Sequence, residues 1–232
     1  MLWAAVIALV FFIWVFFYHP RFALKIAEAM QPSVLYRVET KQPVVALTLD
    51  DGPDPALTPE VLDLLKKHDV HATFFLIGEK SRNHPELVAR IRTEGHQIAN
   101  HMMKNFPAYF LSKSDFREQL AEADSILQIQ SSPKLFRPAS GWIRGDQLRV
   151  VDELGYTCCL GSVYPNDPKH HSPRIIDAFV MHKVGAGDII ILHEGRKSRR
   201  YVLDALETLL PKLKKRGLGV VTVDSLIHTG EP

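Results

Sequence analysis

The sequence is poor in cysteine and close to neutral in charge. Its two cysteines, Cys158 and Cys159, are adjacent in a chain of 232 residues, and the formal net charge is +2. Adjacent cysteines supply neither a disulfide framework nor the spaced ligand pairs of a structural zinc site. A charge near zero also gives no basic surface of the kind that collects nucleic-acid phosphates. We therefore expect no nucleic acid partner.

The sequence also lacks the glycine patterns of nucleotide-binding sites. It has no GxGxxG after a predicted strand and no phosphate-binding loop of the P-loop type, so no organic cofactor is indicated. What it does contain is 46% hydrophobic and 23% charged residues. That composition is typical of one globular domain with a substantial core.

The amino terminus is an uncharged apolar run. Residues 1–18 carry no charged side chain and have Trp3, Trp14 and Tyr18 near their margins. As a helix the run nearly spans a hydrocarbon core, and it lacks the basic start and the small-residue cleavage site of a signal peptide. It predicts a single-pass transmembrane anchor, and a hydrophobic helix packed on the domain is the alternative.

Residues 19–43 contain three prolines and predict a juxtamembrane helix and linker, followed by a folded domain at residues 44–228. In that domain, short apolar runs without polar alternation are separated by amphipathic stretches, as in parallel strands covered by helices. The strand-like runs are VVALTLD, ATFFLIG, QIAN, KLFRP, YTCCL, DIIILHE and LGVVTV. The pattern predicts an α/β fold, a distorted (β/α) barrel of about seven parallel strands preceded by the hydrophobic helix.

Polar residues gather at the carboxyl ends of the predicted strands, which is the rim where parallel β/α folds build active sites. They are Asp50, Asp51, Asn100, His101, Arg137 and His193. Two adjacent carboxylates suit two roles, since one can bind a divalent cation with a histidine while the other accepts a proton from water. A histidine across the rim can protonate a leaving nitrogen, and an arginine can hold a carboxylate in its charged form. The set predicts metal-assisted hydrolysis of an amide or ester.

Four segments resemble the signature motifs of the polysaccharide deacetylase family, whose members share the nodulation-type chitooligosaccharide deacetylase homology domain. They are TLDDGP at 48–53, HQIANH at 96–101, FRPASG at 136–141 and IILHE at 190–194. The resemblance implies an enzyme that removes acetyl groups from N-acetylated glycans, such as chitin oligomers or peptidoglycan, with a divalent cation: zinc or cobalt first, then manganese or another. It assigns Asp50 as catalytic base, Asp51 and His101 as metal ligands, Arg137 as the residue orienting the base, and His193 as general acid.

The sequence departs from the family pattern at several positions. Asn105 stands where the family places a second histidine ligand, and a carboxamide binds zinc more weakly than imidazole does. Ser140 replaces an aromatic residue whose backbone N–H contributes to the oxyanion site, and Trp142 either takes over the lost apolar contact or belongs to the core. We also expect Asp167 to buttress Arg137. The basic run KSRR at 197–200 predicts a solvated helix start.

Two other functions stay open. Loss of the metal through Asn105 would leave a membrane-anchored carbohydrate-binding protein, unless His170 or His171 replaces the missing ligand. The same residues would also serve an esterase acting on O-acetyl groups. The side of the membrane is open too, because Arg21, Lys25 and Arg37 place the domain in the cytoplasm by the positive-inside rule, whereas a cell-wall substrate requires the opposite side.

Overall fold

The computed structural model describes residues 21–230. The anchor expected at residues 1–18 lies outside this range. Within it, no helix combines the length and apolar character needed to cross a membrane. The described part of the chain folds into strands and helices that alternate along the sequence as the apolar pattern predicts.

Eight strands form one sheet. They are β1 (Val34–Leu35), β2 (Val44–Gly52), β3 (Thr73–Leu76), β4 (Gln97–Asn100), β5 (Lys134–Phe136), β6 (Tyr156–Cys159), β7 (Ile189–His193) and β8 (Gly219–Val221). All strand pairs are parallel, in the order β1-β6-β5-β4-β3-β2-β7, and β8 pairs with the first residues of β2. The α/β fold with a parallel sheet is therefore as expected.

Nine helices lie between or beside the strands in the described range. They are α1 (Arg21–Met30), α2 (Thr58–Lys67), α3 (Gly78–Asn83), α4 (Pro85–Thr93), α5 (Lys113–Leu127), α6 (Gly145–Glu153), α7 (Pro173–Lys183), α8 (Arg200–Lys215) and α9 (Val223–Ile227). Short 3₁₀ turns cover Ala108–Phe110, Ala139–Gly141 and Lys197–Arg199. The short helices α3 and α9 fall where the sequence pattern showed no helix, because neither is long enough to display a helical period.

The strand count differs from the expected seven by one. The extra strand, β1, lies inside the segment read as a linker, where Val34 and Leu35 pair with Cys158 and Cys159 of β6. The segment after β6 returns to the other end of the sheet, since the backbone N–H of Ile191 donates to the Val163 carbonyl oxygen at 3.0 Å. These contacts curl the sheet into a distorted barrel.

Alternate residues of each strand face opposite sides of this sheet. One side packs on the surrounding helices, and the other fills the barrel interior, which α9 closes from below with Val223 and Leu226. The interior residues on the strands are Ala46, Phe75, Ala99, Leu135, Cys159 and Ile189. Because side chains repeat with a period of two, Asp50, Arg137 and His193 continue the interior face upward. The period places the predicted functional residues at the barrel mouth.

His96, the residue before β4, makes a pH-dependent contribution to the free energy of unfolding. Its Nδ1 accepts a hydrogen bond from the Ala72 N–H at 3.2 Å, and its ring packs edge-on against Phe74. Burial, reinforced by the charge of His71, lowers the pKa of His96 from 6.5 to about 4. The folded state therefore binds a proton less readily than the unfolded state does, so this contribution is complete above pH 6.5 and is lost as the pH falls toward 4.

We predict that His96→Gln flattens the acid limb of the stability profile. Urea unfolding between pH 4 and pH 8 should show the wild type losing up to about 3 kcal/mol more than the variant as the pH falls. His182→Gln, at an exposed position of α7, is the control and should keep the wild-type slope. Parallel slopes for wild type and His96→Gln would show that His96 does not carry the effect.

Candidate active site

The two carboxylates near the end of β2 share one cavity because the chain turns sharply there. Asp51 has φ 72°, a left-handed conformation that non-glycine residues rarely adopt. The turn is held from below, where Lys80 Nζ donates to the Asp51 carbonyl oxygen at 2.8 Å. It is held from above by Gly195, since a Cβ there would lie 1.9 Å from the same oxygen and only glycine permits the approach. Both Asp50 and Asp51 are buried.

Arg137 fixes Asp50 in the barrel mouth. Its Nη1 donates to Asp50 Oδ1 at 2.6 Å and to Thr48 Oγ1 at 2.7 Å, and its Nε donates to the Cys159 carbonyl oxygen at 2.8 Å. The guanidinium also lies over the Phe75 ring, 3.9 Å from its centroid. Both charged groups are almost fully buried. The structure thus brings Arg137 to Asp50 as the sequence predicted.

His193 faces Asp50 from the end of β7. Its Nε2 lies 3.9 Å from Asp50 Oδ2, and its Nδ1 lies 2.9 Å from Asp167 Oδ1. The other oxygen of Asp167 accepts the His193 backbone N–H at 3.0 Å. Burial opposes protonation of His193, but Asp167 and Asp50 outweigh it and raise its pKa above the ordinary value. His193 is therefore favoured as a proton donor.

The predicted pairing of Asp167 with Arg137 is wrong. The buried Asp167 carboxylate contacts His193 through both oxygens, while Arg137 satisfies its donors on Thr48, Asp50 and Cys159. The loop after β6 reaches over to β7 rather than back to β5, since Val163 bridges to Ile190. Asp167 consequently supports the histidine instead of the arginine.

The residues assigned to a metal converge on one oxygen of Asp51. His101 Nε2 lies 3.3 Å from Asp51 Oδ1, and Asn105 Nδ2 lies 3.0 Å from the same oxygen. The other ring nitrogen of His101, Nδ1, is 2.7 Å from the Arg137 carbonyl oxygen and donates to it. With Nδ1 donating to the carbonyl oxygen, Nε2 faces Asp51 as an N–H donor when the ring is protonated. In the neutral ring Nε2 carries a lone pair, and a cation between the two groups would take the place of that proton.

Arg199 is a residue of this site that the sequence analysis missed. Its Nη1 donates to Asp51 Oδ2 at 2.6 Å, and its side chain is only 12% exposed. The prediction that the KSRR run is solvated is therefore wrong for Arg199, because the 3₁₀ turn Lys197–Arg199 directs this guanidinium into the cavity. Burial opposes ionisation of the Asp51 carboxyl. His101, followed by His193 and Arg199, outweighs burial and holds the pKa of that carboxyl well below its usual range.

These donors fit a divalent cation, with one weak ligand. Within residues 21–230, no three His, Cys, Asp or Glu side chains form a group able to hold a metal, since the third position is Asn105. A half-turn of the Asn105 carboxamide would present its oxygen instead of its nitrogen. His171 does not replace it, because its Nε2 lies 2.8 Å from the Pro168 carbonyl oxygen and its ring stacks on Tyr201. Asp51, His101 and Asn105 are thus the residues that could hold a cation.

A cavity of about 1050 Å³ opens above these groups. Its lining includes the predicted site residues Asp50, Asp51, His101, Asn105, Arg137, Ser140, Trp142 and His193. Trp142 is 63% exposed and is therefore not a core residue. Ser140 has φ 70° in the turn after β5 and lines the cavity. Of the strand residues before His193, Ile191 lines the cavity whereas Leu192 is buried in the core.

Comparison with known proteins identifies the family of the chain. The family model described as polysaccharide deacetylase matches residues 37–159. A peptidoglycan-N-acetylglucosamine deacetylase of Bacillus cereus is 36% identical over 199 residues, covering 84% of this chain and 93% of the relative. A chitooligosaccharide deacetylase of Sinorhizobium fredii is 35% identical over 195 residues, covering 78% of this chain and 90% of the relative.

The fold agrees as well. The crystal structure of a peptidoglycan N-acetylglucosamine deacetylase superposes with a TM-score of 0.82 at 33% identity, covering 88% of this chain and 97% of that one. The matches reach both the sheet that positions the site and the segments that carry its residues. The resemblance seen in the four motifs is confirmed, and the chain belongs to the polysaccharide deacetylase family, a family of hydrolases.

Proposed function

We propose that the protein removes acetyl groups from N-acetylated glycans, with chitin oligomers and peptidoglycan as the candidate substrates. The observation that carries this proposal is the position of Asp50, which lies between Arg137 at 2.6 Å and His193 at 3.9 Å at the mouth of the barrel. A carboxylate and a histidine that face one cavity from opposite sides can serve as base and acid for the same amide.

Asp50 takes the proton of the attacking water. Its Oδ1 is engaged by Arg137, so Oδ2 is the oxygen that faces His193 and the cavity. The buried guanidinium fixes the carboxylate in one orientation, and that orientation is set before the substrate arrives. Asp50 thus acts as a positioned base rather than as a mobile side chain.

His193 protonates the leaving nitrogen. His193 Nδ1–H donates a hydrogen bond to Asp167, and Nε2–H then points toward Asp50 and the cavity. The carboxylate stabilises the imidazolium and fixes the ring. The backbone around Ser140 lies at the cavity wall, where an N–H could receive the negative charge that develops on the acetyl oxygen.

A divalent cation belongs to this proposal, held by Asp51, His101 and Asn105. When bound, it supplies a Lewis acid that polarises the acetyl carbonyl and lowers the pKa of water. The donor set of one carboxylate, one imidazole and one carboxamide suits zinc less well than three stronger ligands would, so cobalt or manganese are candidates beside zinc. Arg199 occupies Asp51 Oδ2 and leaves Oδ1 facing the other two residues.

The second candidate function is a carbohydrate-binding protein without catalysis. Asn105 in place of a stronger ligand and Arg199 on Asp51 both favour it, because each weakens the attraction for a cation. An esterase acting on O-acetyl groups would use the same residues but need less from His193, since an oxygen leaving group requires less protonation. The membrane anchor at residues 1–18 remains a proposal that rests on the sequence alone.

The first test is acetate release from N-acetylglucosamine oligomers and from peptidoglycan fragments by the full chain supplied with zinc, cobalt or manganese. We expect cation-dependent release that falls by about 10² to 10⁴ in Asp50→Asn, the range for loss of a general base. Asp152→Asn, at an exposed position of α6, is the matched control and should retain full activity. A folded, metal-loaded wild type that releases no acetate would favour the binding protein.

The pH profile tests the role of Asp167. Its negative charge stabilises protonated His193, so Asp167→Asn should lower the pKa of His193 and move the basic limb of kcat/KM to lower pH. At pH values below the new limb, kcat/KM should fall less than at pH values above it. An unchanged basic limb, measured over pH 5 to 9, would show that His193 does not act as the acid.

Arg199 should set the affinity for the cation. Removing a positive charge that lies 2.6 Å from Asp51 strengthens the attraction of the same carboxylate for a divalent ion. We predict that Arg199→Gln binds cobalt at least about tenfold more tightly than the wild type in calorimetric titration of the metal-free protein. Arg200→Gln, which removes an exposed partner of Glu60, should leave the affinity unchanged. Equal affinity in wild type and Arg199→Gln would refute this role.

A further inference from the structure

Part of the lining of the active-site cavity is apolar. It consists of Leu24 and Ala27 from α1, Leu160 after β6, and Ile175 and Phe179 from α7. Leu24, Ala27, Leu160 and Phe179 also pack on the hydrophobic core, so the wall is continuous with the folded domain. We refer to these five residues as the apolar wall. The cavity of about 1050 Å³ is therefore lined both by the charged site residues and by these five apolar side chains.

A glycan chain is poorly suited to the apolar wall. Its five side chains offer neither a hydrogen-bond donor nor an acceptor, and a sugar hydroxyl placed against them would lose water without gaining a partner. Methylene groups placed there would instead gain from leaving water. The volume also reaches the upper end of the roughly 300–1,000 Å³ typical of small-molecule sites. The chemistry of the wall thus matches a hydrocarbon chain.

The outer face of α1 points to where such a chain would come from. Ile26 and Met30 lie one helical turn apart and are 54% and 77% exposed. Arg21 and Lys25 lie on the same exposed side of the helix. An exposed face that mixes apolar and basic side chains is typical of a helix lying in a membrane interface. The helix follows the uncharged apolar run at residues 1–18 by only two residues.

From these observations we propose that the substrate is a glycolipid, an N-acetylated sugar joined to a long hydrocarbon chain and taken from a membrane surface. The sugar occupies the end of the cavity with Asp50 and His193, and the hydrocarbon lies along the apolar wall. α1 then lies between the cavity and the membrane. Its residues Leu24 and Ala27 line the cavity, and its exposed residues Ile26 and Met30 contact the membrane. This inference rests on the proposed deacetylation and narrows its substrate class.

The test compares two substrates that differ only in the aglycone, the methyl and the dodecyl glycosides of N-acetylglucosamine. The full chain is reconstituted in lipid nanodiscs, and acetate release is measured for both. We expect kcat/KM for the dodecyl glycoside to exceed that for the methyl glycoside by about tenfold or more, because the hydrocarbon contributes binding on the wall. Ile175→Asn and Phe179→Asn should remove most of this preference, measured as the ratio of the two kcat/KM values within each variant.

Two controls distinguish contact with the apolar wall from other effects of the substitutions. Phe110→Asn changes a 74% exposed residue that does not line the cavity, and should keep the wild-type preference. All variants see the same enrichment of the dodecyl glycoside in the nanodisc, so only a contact with the wall can distinguish them. Ile175 is 53% exposed, so its substitution does not open the core.

Equal kcat/KM values for the two glycosides, or a preference that Ile175→Asn and Phe179→Asn leave intact, would overturn the proposal. Absence of acetate from both glycosides and from chitin oligomers would instead be a failure of the proposed deacetylation. Binding of a fluorescent dodecyl glycoside to the Asp50→Asn protein then tests separately whether the apolar wall binds hydrocarbon. Binding that depends on the wall would persist without catalysis.

Discussion

The site depends on one buried ion pair. The guanidinium Nη1 of Arg137 donates to Asp50 Oδ1 at 2.6 Å. The backbone carbonyl oxygen of Arg137 accepts a hydrogen bond from His101 Nδ1 at 2.7 Å. One residue therefore fixes both the proposed base and the tautomer of a candidate metal ligand. A buried charge without its partner is strongly destabilising, so Asp50 and Arg137 require one another whether or not substrate is present. Their geometry is a property of the fold.

The other buried charges obey the same constraint. Asp167 is neutralised by His193, and Asp51 is approached by Arg199 on one oxygen and by His101 and Asn105 on the other. The weak ligand and the additional guanidinium occur on the same carboxylate. Together they place part of the hydrogen bonding and positive charge that balance Asp51 on the protein itself. Balance between carboxylates and basic groups is thereby maintained in a cavity with an extended apolar wall.

Sequence reasoning located the parts of the site that depend on local pattern. The period of two along β2 and β7 places Asp50 and His193 on the interior face, and the family motifs identify them independently. Sequence reasoning did not predict the contacts that depend on packing between distant segments. Arg199 lies in a basic run whose composition suggests solvent, and only the packing of the turn before α8 aims it at Asp51. The loop after β6 is similar, because the sequence does not tell whether Asp167 reaches β5 or β7. Strand β1 is two residues long and has no period to detect.

That short strand defines how much of the chain the folded unit needs. The Leu35 carbonyl oxygen accepts the N–H of Leu160 at 2.9 Å, so β1 covers the outer edge of β6. A protein truncated to begin at Val44 would retain every residue of the catalytic constellation and yet expose the backbone donors and acceptors of that edge. Exposed edges pair with other chains. The segment that the sequence predicts to be a linker thus also covers an edge of the sheet that could otherwise pair with another chain.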